Sequence, residues 1–460
     1  MTLTYRKLAP DRDIGMASST ALLLGFATAF FPRLLTYFGA PAPINFIHFA
    51  AVPTAVAITI LTSRTQNMRQ ISISWDLILG MGILLTSMAA SALLNDAGFI
   101  NIILQFILFT EAFMLLLALA LIPTHHKFLS RFRRWLLGFA LTNFLLAIAQ
   151  SILIPVGIYP RRGGTIQDNT AGVFAAGGGS AGNYVSCTVS MFFALYVFFF
   201  CKQFPLWFRS ILLLGAAYQV YVSDSKQVFL ALGIALILLL VTKLRDPAKF
   251  FLYTVPVLVI LSAALWALKS LDFEALTAYQ NWIDREGIYG WDGIATQTKL
   301  AAFRIILSHF NSPLNWFFGL GPGHSVTRLG GWMLPKYASL LTPLGATVHP
   351  ASVQVFDVVR SSWIAQQSTI FFPLFTWVGL WGDFGFAGLA AYLYLCSIVW
   401  RRICVDDYGR YLLLTTAALG FVLTQMEEPG QMLTLACLLG LRWHETHAQR
   451  ILNQLNDGNS

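Results

Sequence analysis

Charged side chains are scarce in this chain. Asp, Glu, Lys and Arg make up 11% of its 460 residues and hydrophobic residues 57%, whereas soluble domains are about a quarter charged. A water-soluble fold has no interior large enough for so much apolar surface. Apolar runs of about 18 to 25 residues recur from Ile14 to Trp443, each long enough to cross a bilayer as a helix. The composition excludes a soluble globular protein and predicts an all-α, polytopic membrane protein.

Cysteine is also rare, and its placement excludes two kinds of site. All five cysteines lie in or beside apolar runs, at Cys187, Cys201, Cys396, Cys404 and Cys437. None falls in the long polar segment 268–370, so neither a disulfide framework nor a Cys-ligated zinc site is predicted there. Internal repeats of the kind found in many secondary transporters are lacking too. The net charge of +9 comes from short basic clusters between apolar runs, which indicates membrane topology and not nucleic-acid binding.

Twelve runs are predicted to span the membrane. They are 14–32, 45–62, 75–94, 98–122, 135–155, 183–201, 208–222, 227–242, 250–267, 371–399, 410–426 and 429–443. The weakest prediction is 208–242, where the polar tetrad 223–226 is either a tight hairpin or a break within one helix. The N-terminal segment is expected to be a retained cytoplasmic tail, because no small-residue cleavage site follows its first apolar run.

The distribution of basic residues predicts the orientation. With the N-terminus inside, most Lys and Arg residues fall in inner segments, and the short outer connections carry only Arg33, Arg161, Arg162 and Lys226. The positive-inside rule then places both termini in the cytoplasm. The predicted organisation is nine spans in 1–267, a large outer loop with short helices in 268–370, three spans in 371–443 and a cytoplasmic tail in 444–460. Within the loop, TQTKLAAFRIILSHF has the apolar spacing of a helix lying near the membrane surface.

The few outer basic residues are candidates for anion binding. Arg161 and Arg162 open the loop RRGGTIQDNTAGVFAAGGGSAGNY, whose glycines let backbone N–H groups approach a ligand; a flexible surface loop is the alternative. Lys226 lies at the mouth of a span, where an ionisable group must be paired or exposed to water. It either forms an ion pair with Asp224 or binds an anion. Arg304 lies on the predicted loop helix.

The loop also holds candidates for proton transfer. Gly319, Gly321 and Gly323 predict a rigid turn, and His324 and His349 suit acid–base chemistry near neutral pH; a solvated surface position is the alternative for each histidine. Asp383 lies between two glycines in a predicted span, where helix packing explains the glycines but not the acid.

Three further acids have no partner that the sequence identifies. Glu111 lies in the fourth predicted span, and Glu427 and Glu428 lie in a turn between the last two. Acids at such positions are typical of ion pathways, so they keep a transporter possible. No metal site is predicted, because the carboxylate pairs of the long loop have basic neighbours.

Three segments, in order, resemble the family of bacterial O-antigen ligases and O-antigen or exopolysaccharide polymerases, which are membrane glycosyltransferases with one large periplasmic loop. SDSKQ before an apolar span is similar to the family's basic S-R/K segment. FRIIL followed by FFGLGPG is similar to its Arg-bearing helix and G-x-G-x-G turn. WGDFGFAG is similar to its acidic segment at the start of the next span. The resemblance covers about residues 160 to 400.

The resemblance implies a GT-C-type architecture in the bacterial inner membrane. It implies transfer of a glycan, with inversion and without a metal or other cofactor, from undecaprenyl diphosphate to a hydroxyl of a glycan or lipid acceptor at the periplasmic face. Lys226 and Arg304 match the family's diphosphate-contacting positions, with Arg161 or Arg162 as additions. Asp383 matches the family's acidic segment and is a catalytic candidate, and His324 or His349, from elsewhere in the loop, are the candidates for the base.

The chain departs from the family pattern at the expected base. Many ligases carry His-Asn shortly before the acidic segment, whereas the corresponding stretch here, IAQQSTIFFPLF, has no histidine. This departure favours a polymerase over a ligase. The alternatives from other classes are a flippase or other transporter of lipid-linked glycans and an assembly subunit without activity.

Overall fold

The computed structural model describes residues 14–63, 65, 67–123, 126–175, 182–243, 290–367 and 369–457, with isolated positions at 248, 251–252, 255–256, 258–260, 262–263, 266 and 288. Within these residues the chain is helical and contains no strand. The predicted span 250–267 and the first part of the long loop lie largely outside the described residues.

Fifteen helices carry labels here. They are α1 Ile14–Phe30, α2 Pro32–Tyr37, α3 His48–Thr62, α4 Met68–Leu94, α5 Phe99–Leu121, α6 His126–Leu153, α7 Gly182–Phe200, α8 Leu206–Val222, α9 Lys226–Val241, α10 Ile294–Ser308, α11 Pro313–Phe318, α12 Pro350–Ser361, α13 Thr376–Ile398, α14 Asp407–Leu419 and α15 Pro429–Asp457. Shorter helical turns connect them, among them Ala42–Phe46, Ile166–Asn169, Leu329–Met333 and Trp363–Gln367.

Seven helical segments among the described residues are long and apolar enough to cross a membrane. They are Ser18–Tyr37, Ala42–Thr62, Met68–Leu94, Phe99–Leu121, Lys127–Leu153, Gly182–Phe200 and Thr376–Ile403. Two shorter apolar helices, α8 and α9, lie in the 208–242 stretch, at the predicted runs 208–222 and 227–242. The turn at 223–225 breaks that stretch into two helices with different neighbours, since α8 packs on α7 and α9 packs on α14. The chain is therefore a polytopic helical membrane protein.

The last helix forms the centre of the bundle. The first half of α15, from Pro429 to Leu441, is buried on every side and packs against α1, α5, α6, α7 and α14. Because its neighbours shield it from lipid, this half tolerates polar residues such as Gln431 and Thr434 without exposing them to hydrocarbon.

Several connections meet at one end of the bundle, which we call the loop end because it carries the loop region, residues 290–375. Hydrogen bonds join the segment after α1 to the α14–α15 turn, the α4–α5 connection to the loop region, and the α8–α9 turn to the α6–α7 connection. Side chains from distant parts of the sequence therefore converge at the loop end.

Candidate functional site

Asp383 ties the glycine-rich turn of the loop region to α13. Its side chain is fully buried. Oδ2 accepts hydrogen bonds from the Gly323 N–H and the Thr327 hydroxyl, both at 2.8 Å, and Oδ1 accepts one from the Ser325 N–H at 2.7 Å. Hydrogen bonds to a carboxylate are stronger than neutral ones. Both oxygens face the turn, so Asp383 acts to position the turn.

The turn follows the backbone of α13 where that helix is interrupted. Gly319, Gly321 and Gly323 all have positive φ, at +67°, +109° and +69°, a region that glycine enters without steric cost. The N–H groups of Leu320 and Gly321 donate to the carbonyls of Gly382 and Asp383, at 2.8 and 3.0 Å. These carbonyls can accept from the turn because α13 has non-helical backbone angles at Gly385. The three glycines that the sequence singled out thus form one rigid element.

Substituting Gly319 by alanine tests this close approach. A Cβ at Gly319 would collide with the Asp383 backbone, whereas Gly345, at φ +86°, has open space around its Cβ position. We expect Gly345→Ala to cost about 1–2 kcal/mol through its backbone angles alone and Gly319→Ala to cost clearly more. Thermal unfolding of both variants in detergent measures the difference. Equal stability would mean that the turn does not need to approach α13 so closely.

The first turn of α5 and the α4–α5 connection hold the other side of the turn. Asn101 donates through Nδ2 to the carbonyls of Pro322 and Thr347, both at 2.9 Å, and its Oδ1 accepts from the Thr347 N–H at 3.2 Å. Asn95 donates to the Gly319 carbonyl at 3.2 Å. The turn is thus held between α13 on one side and the α4–α5 connection with the start of α5 on the other.

The structure brings His324 and His349 together as stacked rings, with centres 5.4 Å apart and planes inclined by 27°. Nδ1 of His324 donates to the Leu320 carbonyl at 2.8 Å, and Nε2 lies 2.7 Å from the Thr347 hydroxyl. The Leu320 carbonyl can only accept, so in a neutral ring Nδ1 carries the proton and the Thr347 hydroxyl, which also accepts the Gly98 N–H at 2.9 Å, donates to Nε2. This network assigns His324 the neutral tautomer with its proton on Nδ1. Burial lowers the pKa of His324, consistent with a neutral ring.

His349 has the opposite tautomer. It is the N-cap of α12, where its Nδ1 accepts the Ala351 N–H at 3.1 Å, so a neutral ring carries its proton on Nε2. Its ring also meets His309 edge to face, with centres 5.2 Å apart. Burial, together with the neighbouring His324 and His309, lowers the pKa of His349 to about 4. Of the two rings, His324 has the lone pair on Nε2 that a general base needs.

The two basic residues with the closest family match lie on different elements. Lys226, at the start of α9, forms an ion pair with Asp224 at 2.9 Å, so the local pairing that the sequence left open is present. Its side chain is 33% exposed, which limits the strength of the pair. Arg304 is exposed on α10 and donates through Nη2 to the Gln297 carbonyl at 2.8 Å. The helix predicted from TQTKLAAFRIILSHF is α10.

Arg161 and Arg162 lie on the exposed connection between α6 and α7. The guanidinium of Arg162 lies 5.7 Å from the centre of the Tyr37 ring, and its backbone N–H donates to Asn169 at 3.1 Å. The described contacts of these arginines are to α2 and to their own connection, and none joins them to Arg304 or the histidines. Residues 176–181 of this connection lie outside the described residues.

Lys299 is a functional candidate that the sequence pattern does not single out. Its Nζ donates to the carbonyls of Phe372 at 2.8 Å and Val422 at 2.6 Å, and it lies 4.7 Å from the centre of the Phe375 ring. Burial lowers its pKa to about 7, and a neutral amine still has two N–H groups for the two carbonyls. Lys299 thus fixes α10 to the segments before α13 and after α14.

Two arginines and two glutamates form a buried network beside the turn. Arg33 and Arg328 both bind the carboxylate of Glu428, while Glu427 accepts the Arg328 N–H at 2.8 Å. The sequence shows Arg33 as one of few outer cations and Arg328 five residues after the last glycine of the turn. Neither signal identifies the partner, because Arg33 and Glu428 are 395 residues apart in the sequence.

The partner of Glu111 is His48. Their Oε1 and Nδ1 atoms are 2.6 Å apart, and both side chains are almost completely buried, between α5 and α3. Paired ionisable groups inside a helical bundle are expensive to bury and often functional. This pair lies away from the turn held by Asp383.

The described residues contain no group of three or more His, Cys, Asp or Glu side chains that could hold a metal ion. Of the three loop histidines, His324 stacks on His349 and His309 meets His349 edge to face. Comparison of the chain with family models, curated proteins and solved structures gives no match.

Proposed function

We propose that the chain is a membrane glycosyltransferase of the O-antigen polymerase or ligase type, with polymerase favoured. It transfers a glycan from undecaprenyl diphosphate to an acceptor hydroxyl, with inversion and without a metal. The proposal includes twelve spans in the bacterial inner membrane, both termini in the cytoplasm and the loop end in the periplasm. The main support is the rigid turn that Asp383 holds. This turn includes His324, which can act as a base, and it lies at the same end of the bundle as Arg304 and Lys226.

In this proposal, the basic residues stabilise the leaving group. A departing diphosphate develops negative charge, which fixed cations stabilise in a site of low dielectric constant. Arg304 and Lys226 supply that charge from α10 and α9. Their present partners, the Gln297 amide and the exposed Asp224, are weak enough to be exchanged for a phosphate. Arg161 and Arg162 are additional contacts for the donor.

The acceptor proton goes to His324. Its Nε2 lone pair faces the Thr347 hydroxyl, so the acceptor hydroxyl either replaces that hydroxyl or passes its proton through it. Asp383 keeps the turn and therefore His324 in place. His349 packs on the His324 ring and limits its movement.

The test is glycan chain formation by the purified chain in vesicles that hold an undecaprenyl-diphosphate-linked repeat unit and no divalent metal. We expect a ladder of lengthened glycans on a gel. Lys226→Ala and Arg304→Ala should each lower chain formation by about a hundredfold, the effect of removing one donor to a developing negative charge. Arg360→Ala is the matched control, because Arg360 is a loop arginine that is 71% exposed. Full activity of both variants would refute the diphosphate assignment.

The second candidate is a transporter of the same lipid-linked glycans. The buried His48–Glu111 pair favours it, because paired ionisable groups between helices are typical of proton pathways. The same vesicles distinguish the two proposals. If the donor crosses the bilayer unchanged, the transporter proposal replaces the glycosyltransferase proposal.

A further inference from the structure

Two guanidinium groups converge on one carboxylate at the loop end. Arg33, after α1, donates through Nη2 to both carboxylate oxygens of Glu428, at 2.5 and 2.6 Å. Arg328, in the loop region, donates through Nη1 to Oε2 of the same carboxylate. The three side chains are 15%, 10% and 7% exposed in the order Arg33, Arg328 and Glu428. The cluster is therefore largely buried, but it is not sealed.

The arginines have more hydrogen-bonding capacity than Glu428 uses. An arginine side chain has five N–H donors, and each of these two engages Glu428 through one nitrogen. Within the described residues, the other guanidinium nitrogens have no hydrogen-bond partner. The ring of Trp332 lies beside them. The Arg328 guanidinium is 5.1 Å from the centre of this ring, and the Lys336 ammonium is 5.7 Å from it. A third cation thus lies next to the pair.

The segment around Glu428 contains polar atoms without partners. Both side-chain polar atoms of Gln425 and of Gln431, and Oε1 of Glu427, are buried and make no hydrogen bond within the described residues. Gln425 and Gln431 each lie three residues from Glu428. Buried polar groups are nearly always paired, and leaving one unpaired is costly. Five such atoms within seven residues point to a ligand that supplies the missing partners.

We propose that Arg33 and Arg328 form a binding site for a phosphate or diphosphate group, which displaces the Glu428 carboxylate. Guanidinium groups bind phosphate and carboxylate with the same forked geometry. A diphosphate carries more charge and more acceptor oxygens than one carboxylate, so it can engage the nitrogens that Glu428 leaves unused. Gln425 and Gln431 bind the part of the ligand next to the phosphate. This site is separate from Lys226 and Arg304 and does not depend on the proposed transferase activity.

The experiment measures anion binding to the full chain. Inorganic pyrophosphate is titrated calorimetrically into the protein in detergent, and the protein in nanodiscs is compared with and without undecaprenyl phosphate by thermal shift. We expect Arg33→Gln and Arg328→Gln each to weaken binding by about tenfold or more, and Arg360→Gln to bind like the wild type. Glu428→Gln should strengthen binding, because it removes the competing charge. Binding of pyrophosphate identifies a soluble ligand, and a response only to the lipid identifies a headgroup.

The outcomes that overturn the proposal are equally specific. No binding of either probe by the wild type would overturn it, and so would wild-type affinity in folded Arg33→Gln and Arg328→Gln. If these variants do not fold, Arg33→Lys and Arg328→Lys take their place, because they keep the charge but lose the fork. They should bind several-fold more weakly, and unchanged affinity would count against the site. The experiment measures binding of the anion, so its result does not depend on whether the chain transfers a glycan.

Discussion

Asp383→Asn is expected to release the glycine-rich turn from α13. One oxygen of Asp383 would become an NH₂ group facing N–H or hydroxyl donors, so at least one of the three hydrogen bonds would be replaced by a repulsive contact. Hydrogen bonds to a charged group contribute about 1.5–3 kcal/mol each, so we expect a loss of about 3 kcal/mol or more. Unfolding in detergent measures the loss, and limited proteolysis shows whether the loop region becomes accessible. Glycan transfer should fall with it, because His324 lies on the same turn.

Asp357→Asn is the matched control for Asp383. The side chain of Asp357 is 63% exposed on α12 and lies 3.9 Å from Arg360 in a long ion pair. The same change there should alter stability by less than about 0.5 kcal/mol. If Asp383→Asn were as stable and as protease-resistant as this control, the carboxylate would not be the group that holds the turn.

Glu111→Leu is expected to lower the free energy of unfolding by a similar amount, but for a different reason. It leaves His48 buried without its partner between α3 and α5, and breaking a buried pair costs about 3–5 kcal/mol. The double variant His48→Phe with Glu111→Leu should recover much of that loss, because no polar group is left unpaired. A double-mutant cycle on unfolding in detergent gives the coupling energy.

The partly exposed pair Arg402–Asp76 provides the comparison. Its side chains are 42% and 34% exposed and 2.6 Å apart, so breaking it should cost about 1 kcal/mol or less. Equal costs for the two pairs would contradict the view that the His48–Glu111 pair is protected from solvent. If Glu111→Leu folded normally but abolished movement of a lipid-linked glycan across vesicles, the pair would belong to a transport mechanism.

Local patterns in the sequence predict much of the helical architecture. Apolar runs predict most of the long helices, and the spacing in TQTKLAAFRIILSHF predicts α10. The polar tetrad 223–226 predicts an interruption but not that α8 and α9 pack on different helices. The central position of α15 is not predictable from hydropathy, since a helix surrounded by protein and one surrounded by lipid can have similar composition.

The contacts of the candidate site are less predictable, because they are made between distant segments. The spacing of Gly319, Gly321 and Gly323 predicts a turn, and Asp383 stands out as an acid among glycines. Their relation does not follow from either pattern, since Asp383 binds backbone N–H groups about 60 residues away. Lys299 looks like one more residue of an amphipathic helix until its two carbonyl partners are known.

The Arg33–Glu428 contact also constrains when the loop end can assemble. Glu428 follows Arg33 by 395 residues. At a synthesis rate of about 5–20 residues per second, it emerges roughly 20 to 80 seconds later. During that interval Arg33 must remain hydrated or be held by another partner. Most of this chain is thus synthesised before Arg33 can meet Glu428, and chains truncated before Glu428 should retain their early helices but lack this contact.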